Sequence, residues 1–190
     1  MKERGLCARI DYSFECEKWF SPNSKTIKVN DTLWLEYSIP TIQQDRISGN
    51  IIDYKDASNI GTDIFFLAIG KSSVGSDSIV AAADSFYLVP VVGKFMFDAF
   101  NASKNKDYRF EEFSTAYKLK LAIIPKHKGV YVLAATSLVN VYRKTDKCAK
   151  ASYQSRYIHT DQHFEIYNRF FPNYVIDGSE AEDLYCFEVE

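Results

Sequence analysis

The sequence predicts a mainly β domain, most simply a sandwich of two sheets with one short helix late in the chain. Three observations support this prediction. Aromatic residues make up 15% of the 190 residues, and flat rings pack well on the pleated surface of a sheet. Short stretches of alternating apolar and polar residues recur along the chain, which is the period of a half-buried strand. Helical spacing of apolar residues is found once, between residues 159 and 171.

The first clear element is the stretch TIKVNDTLWLEYS, residues 26–38, which predicts two strands joined by a tight turn. Asn30 and Asp31 favour the turn because both residue types tolerate left-handed backbone and bond to their own backbone. The second strand places its leucines on one face and Trp34 on the other. Pro40 closes this strand.

The middle of the chain contains three further strand signals. The continuous apolar run DIFFLAIG, residues 63–70, is typical of a central strand covered on both faces. Residues 85–100 hold two strand-like runs, and Pro90 places the first at a sheet edge or a bulge because proline cannot donate to a ladder. We expect a turn at Gly93 and Lys94. The stretch STAYKLKLAII, residues 114–124, alternates strictly.

The last third predicts one long strand, one helix and one final strand. After a corner at 125–129, residues 130–142 predict a single strand. The stretch HTDQHFEIYNRFF predicts a helix that begins at Thr160 or Asp161 and ends before Pro172. An acidic loop, 177–183, precedes the alternating LYCFEVE. We therefore expect one domain over residues 1–190, with a helix-containing insertion at about 150–175 before the final strand.

The charge balance argues against two classes of partner. Twenty-three basic and 25 acidic residues give a net charge of −2, which provides no field to attract nucleic acid. No apolar run approaches the ~20 residues that span a bilayer. MKERGLCARI has no apolar core of a signal peptide, so we expect either a cytoplasmic protein or a chain whose export signal is absent from this sequence. A lipid anchor stays an open alternative.

The four cysteines, Cys7, Cys16, Cys148 and Cys186, leave two alternatives. None forms a C-x-x-C pair, which disfavours a zinc site or a thioredoxin-type motif. An even count permits two disulfides in an oxidising compartment. The alternative is four thiols that pack as small apolar groups.

Two stretches, TIKVNDTLWLEY and KGVYVLAA, resemble the immunoglobulin-like sandwich of bacterial envelope proteins. Tyr131 takes the position of the tyrosine corner of such domains, whereas Leu133 stands where antibody domains have their second cysteine. More narrowly, the stretch from Ser21 to Leu35, the GVYVL strand and the early and late cysteines resemble small exported or lipid-anchored proteins of Bacteroidetes-type bacteria. The resemblance implies an immunoglobulin-like antiparallel sandwich outside the cytoplasm and supplies no reaction.

The candidate chemical groups do not form a recognised catalytic or metal-binding motif. His159 and His163 have the i, i+4 spacing of two ligands on one helix face, but the glutamate of H-E-x-x-H is missing. Glu111 and Glu112 are adjacent on a strand and so point to opposite faces, which does not suit a glycosidase. We expect both to be solvated loop or edge charges. We expect no catalytic, cofactor-binding or metal-ligating residue.

The aromatic residues around the polar loop at 101–107 leave another alternative open. They are Phe95, Phe97, Phe100, Tyr108, Phe110 and Phe113. Such rings stack on sugars or contact proteins, or they fold back into a satellite core, which we favour.

The function predicted from the sequence is a non-enzymatic binding or structural module of a bacterial cell envelope, located outside the cytoplasm. Its expected partner is a glycan or another envelope protein. One alternative is a glycan-active hydrolase or lyase on a β-scaffold. Another is an assembly subunit that adds a strand, which predicts a long unpaired edge, such as residues 184–190.

Overall fold

The computed structural model describes residues 9–58, 60–71, 75–96, 104–136, 138–146, 148–174, 176 and 182–190. Its strands are β1 (Ile10–Ser21), β2 (Thr26–Ile27), β3 (Leu33–Pro40), β4 (Ile42–Gln44), β5 (Ile51–Asp53), β6 (Ala57–Ser58), β7 (Gly61–Lys71), β8 (Asp77–Ala81), β9 (Phe86–Val92), β10 (Lys94–Phe95), β11 (Asn105–Arg109), β12 (Glu111–Glu112), β13 (Ala116–Pro125), β14 (Gly129–Ala135), β15 (Leu138–Arg143), β16 (Ala149–Tyr157) and β17 (Leu184–Val189). A 3₁₀ turn spans Ala83–Ser85, and the helix α1 spans Phe164–Phe170.

Within the described residues the strands form two large sheets and one small ribbon. The first sheet has eight strands in the order β12-β13-β3-β1-β16-β15-β6, with β9 also paired to β13. The second sheet has seven strands in the order β10-β11-β7-β14-β17-β2, with β8 also paired to β7. The strands β4 and β5 form the ribbon. The predicted mainly β sandwich is confirmed.

Alternation along the strands places one face of each sheet in a shared core. In β3 every second residue from Leu33 to Ile39 is buried, and the residues between them are partly exposed. The core continues from Phe14 and Leu121 of the first sheet to Tyr131 and Phe187 of the second. A second apolar cluster forms where α1 packs on the outer face of the second sheet. The predicted central strand, β7, is therefore covered on part of both faces.

The structure has the irregular edge strand that the sequence predicted at Pro90 and the turn that it predicted at Gly93. The strand β9 pairs with β13, and its register shifts between Leu121, opposite Pro90, and Lys120, opposite Val92. Gly93 follows with a φ of +84°, in the left-handed region that favours glycine.

Two predicted strand arrangements are wrong because the chain changes sheets. The turn at Asn30 joins β2 of the second sheet to β3 of the first, so the opening strands do not pair. The predicted long strand over 130–142 is two strands, β14 and β15, in different sheets. They separate at Thr136, whose backbone N–H donates to the Asp63 carbonyl at 3.1 Å. Sequence periodicity shows no break there because both strands are apolar.

The helix is shorter than predicted and begins later. Its N-cap is His163, in a left-handed conformation with φ +53°. Thr160 does not cap it, because the Thr160 hydroxyl accepts a hydrogen bond from the Phe20 N–H at 3.0 Å. Residues 149–157, before the helix, form β16, which pairs along its length with β1.

The tyrosine corner expected from the resemblance has its hydrogen bond. The Tyr131 hydroxyl donates to the His127 carbonyl at 3.1 Å, as in immunoglobulin-like domains. Two strand pairs, β1 with β16 and β17 with β2, are parallel. The sandwich is therefore mostly antiparallel, and its immunoglobulin-like assignment stays a prediction.

The terminal strand is not the free edge that the strand-adding alternative requires. It pairs with β14 along six residues and with β2 at its end. The Cys186 N–H donates to the Gln162 carbonyl on the side away from β14.

A charged side chain occupies an inward position of β1. The side chain of Lys18 is fully buried between Phe20 and Cys16 in the alternating pattern of the strand. Its ammonium donates to the Ala135 carbonyl at 2.7 Å, to the Ser155 hydroxyl at 2.8 Å and to Asp183 at 2.9 Å. Burial lowers the pKa of Lys18, and the Asp183 carboxylate opposes that shift.

We expect removal of the Asp183 carboxylate to destabilise the fold by about 3 kcal/mol, because the buried Lys18 ammonium loses its counter-charge. Chemical denaturation of Asp183→Ala measures this cost. The double variant Lys18→Met with Asp183→Ala recovers most of the loss, since methionine fills a similar volume without a charge. Asp77→Ala removes the Lys71–Asp77 pair, whose lysine side chain is 68% exposed where that of Lys18 is buried, and serves as the control, costing less than about 1 kcal/mol. If Asp183→Ala and Asp77→Ala lower the free energy of unfolding by the same amount, the buried Lys18–Asp183 pair does not have the proposed role.

Candidate functional site

The candidate site is a cleft at the end of the sandwich where two chain segments pass between the sheets. One segment runs from β9 through Gly93 to β10, and the other runs from β11 through Phe110 to β12. Both β9 and β12 pair with β13, and both β10 and β11 belong to the second sheet. The two sheets therefore contribute side chains to one opening.

The cleft combines an apolar floor with a basic rim. Its volume is about 280 Å³, and its lining residues are Ala57, Ile60, Lys94, Met96, Arg109, Phe110, Glu112, Tyr117 and Lys144. Ala57, Ile60, Phe110 and Tyr117 are buried. Three lining side chains are cations and one is a carboxylate, so the cleft favours a negatively charged group.

Glycines hold the crossing segments close together at this site. A Cβ on Gly93 would lie 2.5 Å from the Arg109 carbonyl oxygen and 2.9 Å from a Leu119 methyl carbon. A Cβ on Gly61 would lie 2.7 Å from an Arg109 guanidinium nitrogen. The Arg109 side chain therefore passes over Gly61 in space that a larger residue would fill.

The carboxylate of the cleft is held by its neighbours. Glu112 accepts a hydrogen bond from the Asp56 N–H at 2.9 Å, and the Tyr117 hydroxyl lies 3.2 Å from the same oxygen. The Lys144 ammonium is 3.9 Å from the other oxygen. The Tyr117 hydroxyl also accepts from the Ala57 N–H at 2.8 Å. Burial raises the pKa of Tyr117, so its phenol stays protonated and positions Glu112.

A pair of aspartates lies beside Arg109, one of the lining residues of the cleft. Asp63 and Asp107 lie directly opposite each other in the ladder between β7 and β11. Partial burial and the adjacent Asp107 carboxylate raise the pKa of Asp63 to about 6, and Arg109 opposes this shift.

The structure separates the glutamates as the sequence predicted. Glu112 lines the cleft, whereas Glu111 lines a neighbouring shallow pocket of about 300 Å³ with Gly93, Lys94 and Phe110. Their carboxylates do not face each other across one opening. Both glutamates are exposed, as expected from the sequence, and Glu112 in addition lines the cleft.

The histidine pair does not share a helix face. His159 lies before the helix and is exposed. His163 is the N-cap and is buried, with its ring 5.7 Å from that of Tyr185.

The aromatic residues near the polar loop divide between core and surface. Tyr108 and Phe110 are buried, as favoured from the sequence, whereas Phe95 and Phe113 are exposed. Lysine ammonium groups lie over both exposed rings. Phe97 and Phe100 lie outside the described residues, as does 177–181 of the acidic loop.

The cysteines follow neither of the alternatives drawn from the sequence. Cys148 is disulfide-bonded, whereas Cys16 and Cys186 are free and buried. Burial raises the pKa of both free thiols to about 12, so they are unreactive at neutral pH. Cys7 lies outside the described residues.

No protein-family model and no curated protein sequence matches the chain. Over the described part of the chain, no helix has the length and apolar character that crossing a membrane requires.

We expect Gly93→Ala to cost at least about 2 kcal/mol, because it combines a left-handed backbone with a backbone clash. Two glycine variants separate these causes. Gly49 has a φ of +76° with open space around its Cβ position, so Gly49→Ala costs about 1 kcal/mol. Gly70→Ala meets neither obstacle and is close to neutral. Denaturant midpoints measure all three, and a Gly93 cost no larger than that of Gly49 would contradict the close crossing.

We expect Asp63→Asn to gain stability relative to the wild type as pH rises from about 4 to about 6. The raised pKa means that the folded wild type binds more protons than the unfolded chain in this window, so its stability falls as pH rises. The difference is at most about 1 kcal/mol because Asp63 is largely exposed and solvent screens it. Asp107→Asn relieves the same repulsion. Parallel pH profiles for wild type and both variants would contradict the coupled pair.

Proposed function

We propose that the protein is a non-catalytic binding module of a bacterial cell envelope, and that its end cleft recognises an acidic sugar of a glycan. The observation that carries the proposal is that three cations, Lys94, Arg109 and Lys144, line a concave opening whose described lining residues include one carboxylate, Glu112. Carboxylates of acidic sugars are complementary to these cations.

The size of the cleft favours a sugar over a protein element. Its volume of about 280 Å³ lies at the lower end of ligand pockets, which suits one ring or a small anionic group. A helix, about 10–12 Å across with its side chains, is too wide for it. The apolar floor at Ile60 and Phe110 provides a surface for the C–H face of a ring.

The groups beside the cleft favour binding over catalysis. A glycosidase places two carboxyl groups across one bond, whereas Glu111 and Glu112 line different openings. The Tyr117 hydroxyl already contacts Ala57 and Glu112, and its raised pKa keeps the phenol protonated at neutral pH, so it is not available as a general base.

A location outside the cytoplasm is supported by the disulfide at Cys148. Disulfides persist in oxidising compartments and are rare in the cytosol. The bacterial envelope assignment is supported by the resemblance of the opening and GVYVL strands, together with the tyrosine-corner hydrogen bond of Tyr131.

We expect the purified protein to bind acidic glycans on an array and to leave neutral glycans unbound. Binding falls as salt rises, because the cations of the cleft are solvent-accessible. The double variant Lys94→Glu with Lys144→Glu weakens binding at least tenfold. Lys71→Glu is the single-site charge control, since Lys71 is at the opposite end of β7 from Gly61, which lies against Arg109 of the cleft.

Three results would overturn the proposal. Equal binding of neutral and acidic glycans would remove the role of the cations. Binding to none of them would remove the glycan. Cleavage of a bound polysaccharide, detected as new reducing ends or unsaturated products, would establish the glycan-active alternative instead.

A further inference from the structure

An exposed apolar strip lies on the outer face of the first sheet, beside the cleft. Its edge strand, β9, exposes 58% of Tyr87, 49% of Val89 and 57% of Val91, which alternate along the strand and share a face. We call this strip the aromatic face. It comprises the outward residues Tyr87, Val89 and Val91 of β9, Ala122 and Ile124 of β13, and Trp34 of β3.

The register makes the aromatic face continuous across three strands. Ala122 lies opposite Val89 on one side and opposite Trp34 on the other. Ile124 lies opposite Tyr87. Ala122 is itself buried, so the exposed part of the face is the row of Tyr87, Val89 and Val91, with Ile124 and Trp34 partly exposed beside it. Apolar patches of this kind mark interaction surfaces.

The charges on the aromatic face are mainly basic. The Lys120 ammonium is 4.8 Å from the centre of the Trp34 ring, and the Lys126 ammonium is 4.5 Å from that of Tyr87. Lys118 is an outward residue at the cleft end of β13. Against them lie Glu36 of β3, which pairs with Lys120 at 3.1 Å, and Glu111 of β12, which lies directly opposite Lys118. The three lysines outnumber these two carboxylates, so an acidic occupant with apolar ring faces is complementary to this surface.

The aromatic face leads directly into the cleft. Val91 is followed by Gly93 and Lys94, which line the shallow pocket, and Lys94 also lines the cleft. From Tyr87 to Val92 the strand β9 covers about 17 Å of extended backbone, and the chain then turns at Gly93 toward Lys94. This length accommodates a few consecutive sugar rings.

We propose that the aromatic face and the cleft form one extended site for an acidic polysaccharide. One sugar carboxylate lies among the cations of the cleft, and the following rings stack along the strip with their carboxylates near Lys118, Lys120 and Lys126. This inference rests on the proposed function, and it adds that the ligand is a polymer that contacts the protein through several consecutive rings. A protein partner fits less well, since it would have to enter a cleft of single-ring size.

The test is the dependence of affinity on chain length, measured by calorimetry with galacturonate, its trimer and its hexamer. We expect at least a tenfold gain in affinity from the monomer to the hexamer. Tyr87→Ala and Val89→Ser remove most of that gain and leave monomer binding unchanged. Both residues are largely exposed, so the variants are expected to fold, and circular dichroism checks this. Tyr174→Ala, an exposed tyrosine that packs near α1, is the matched control.

The outcomes separate the two proposals. Monomer binding with no gain in longer chains, or a gain that Tyr87→Ala leaves intact, overturns the extended site while the cleft proposal stands. Binding of none of the three ligands overturns both. Sedimentation that shows a dimer of the wild type and a monomer of Val91→Lys identifies the face as a contact between two copies of this chain, which also overturns the extended site.

Discussion

Burial of one shared layer of side chains between the two sheets is the constraint on which the rest of this structure depends. Leu35 and Leu121 of the first sheet are fully buried in one core cluster with Leu133 and Phe187 of the second. Because that layer excludes water, each polar group within it needs a partner, which explains the three acceptors around the Lys18 ammonium. The chain crosses between sheets at their ends, so the openings and charged rims also lie there.

The sequence predicted those parts of the fold that local physics determines. Alternation in β3 identified its inward leucines, Pro90 marked an irregular edge strand, and Gly93 marked a turn, because each signal depends on backbone geometry within a few residues. Sheet membership was not predictable in this way. The residues around Thr136 are apolar in both strands, and only tertiary hydrogen bonds to Asp63 show that the chain changes sheets there. Lys18 on an inward face likewise depends on Asp183, which is 165 residues away.

The candidate site was less predictable than the fold. The sequence drew attention to Glu112 and to the turn at Gly93, and it predicted that the glutamate is solvated, but it did not show that Glu112 lines a cleft. Arg109 and Lys144 carried no signal at all, because isolated cations are common on surfaces. They meet only because β11 and the end of β15 reach the same end of the sandwich. The sequence of β9 predicted a strand, whereas the exposure of its outward residues follows from the position of β9 at the edge of the sheet.

A site built this way is preformed, since crossing segments packed against glycine positions leave little room for the cleft to collapse. Structure determination with and without a galacturonate hexamer tests this most directly. We expect backbone shifts under about 1 Å at the cleft, a carboxylate between Lys94, Arg109 and Lys144, and sugar rings along β9. A cleft that is closed in the free protein, or a sugar ordered on another surface, would contradict the account.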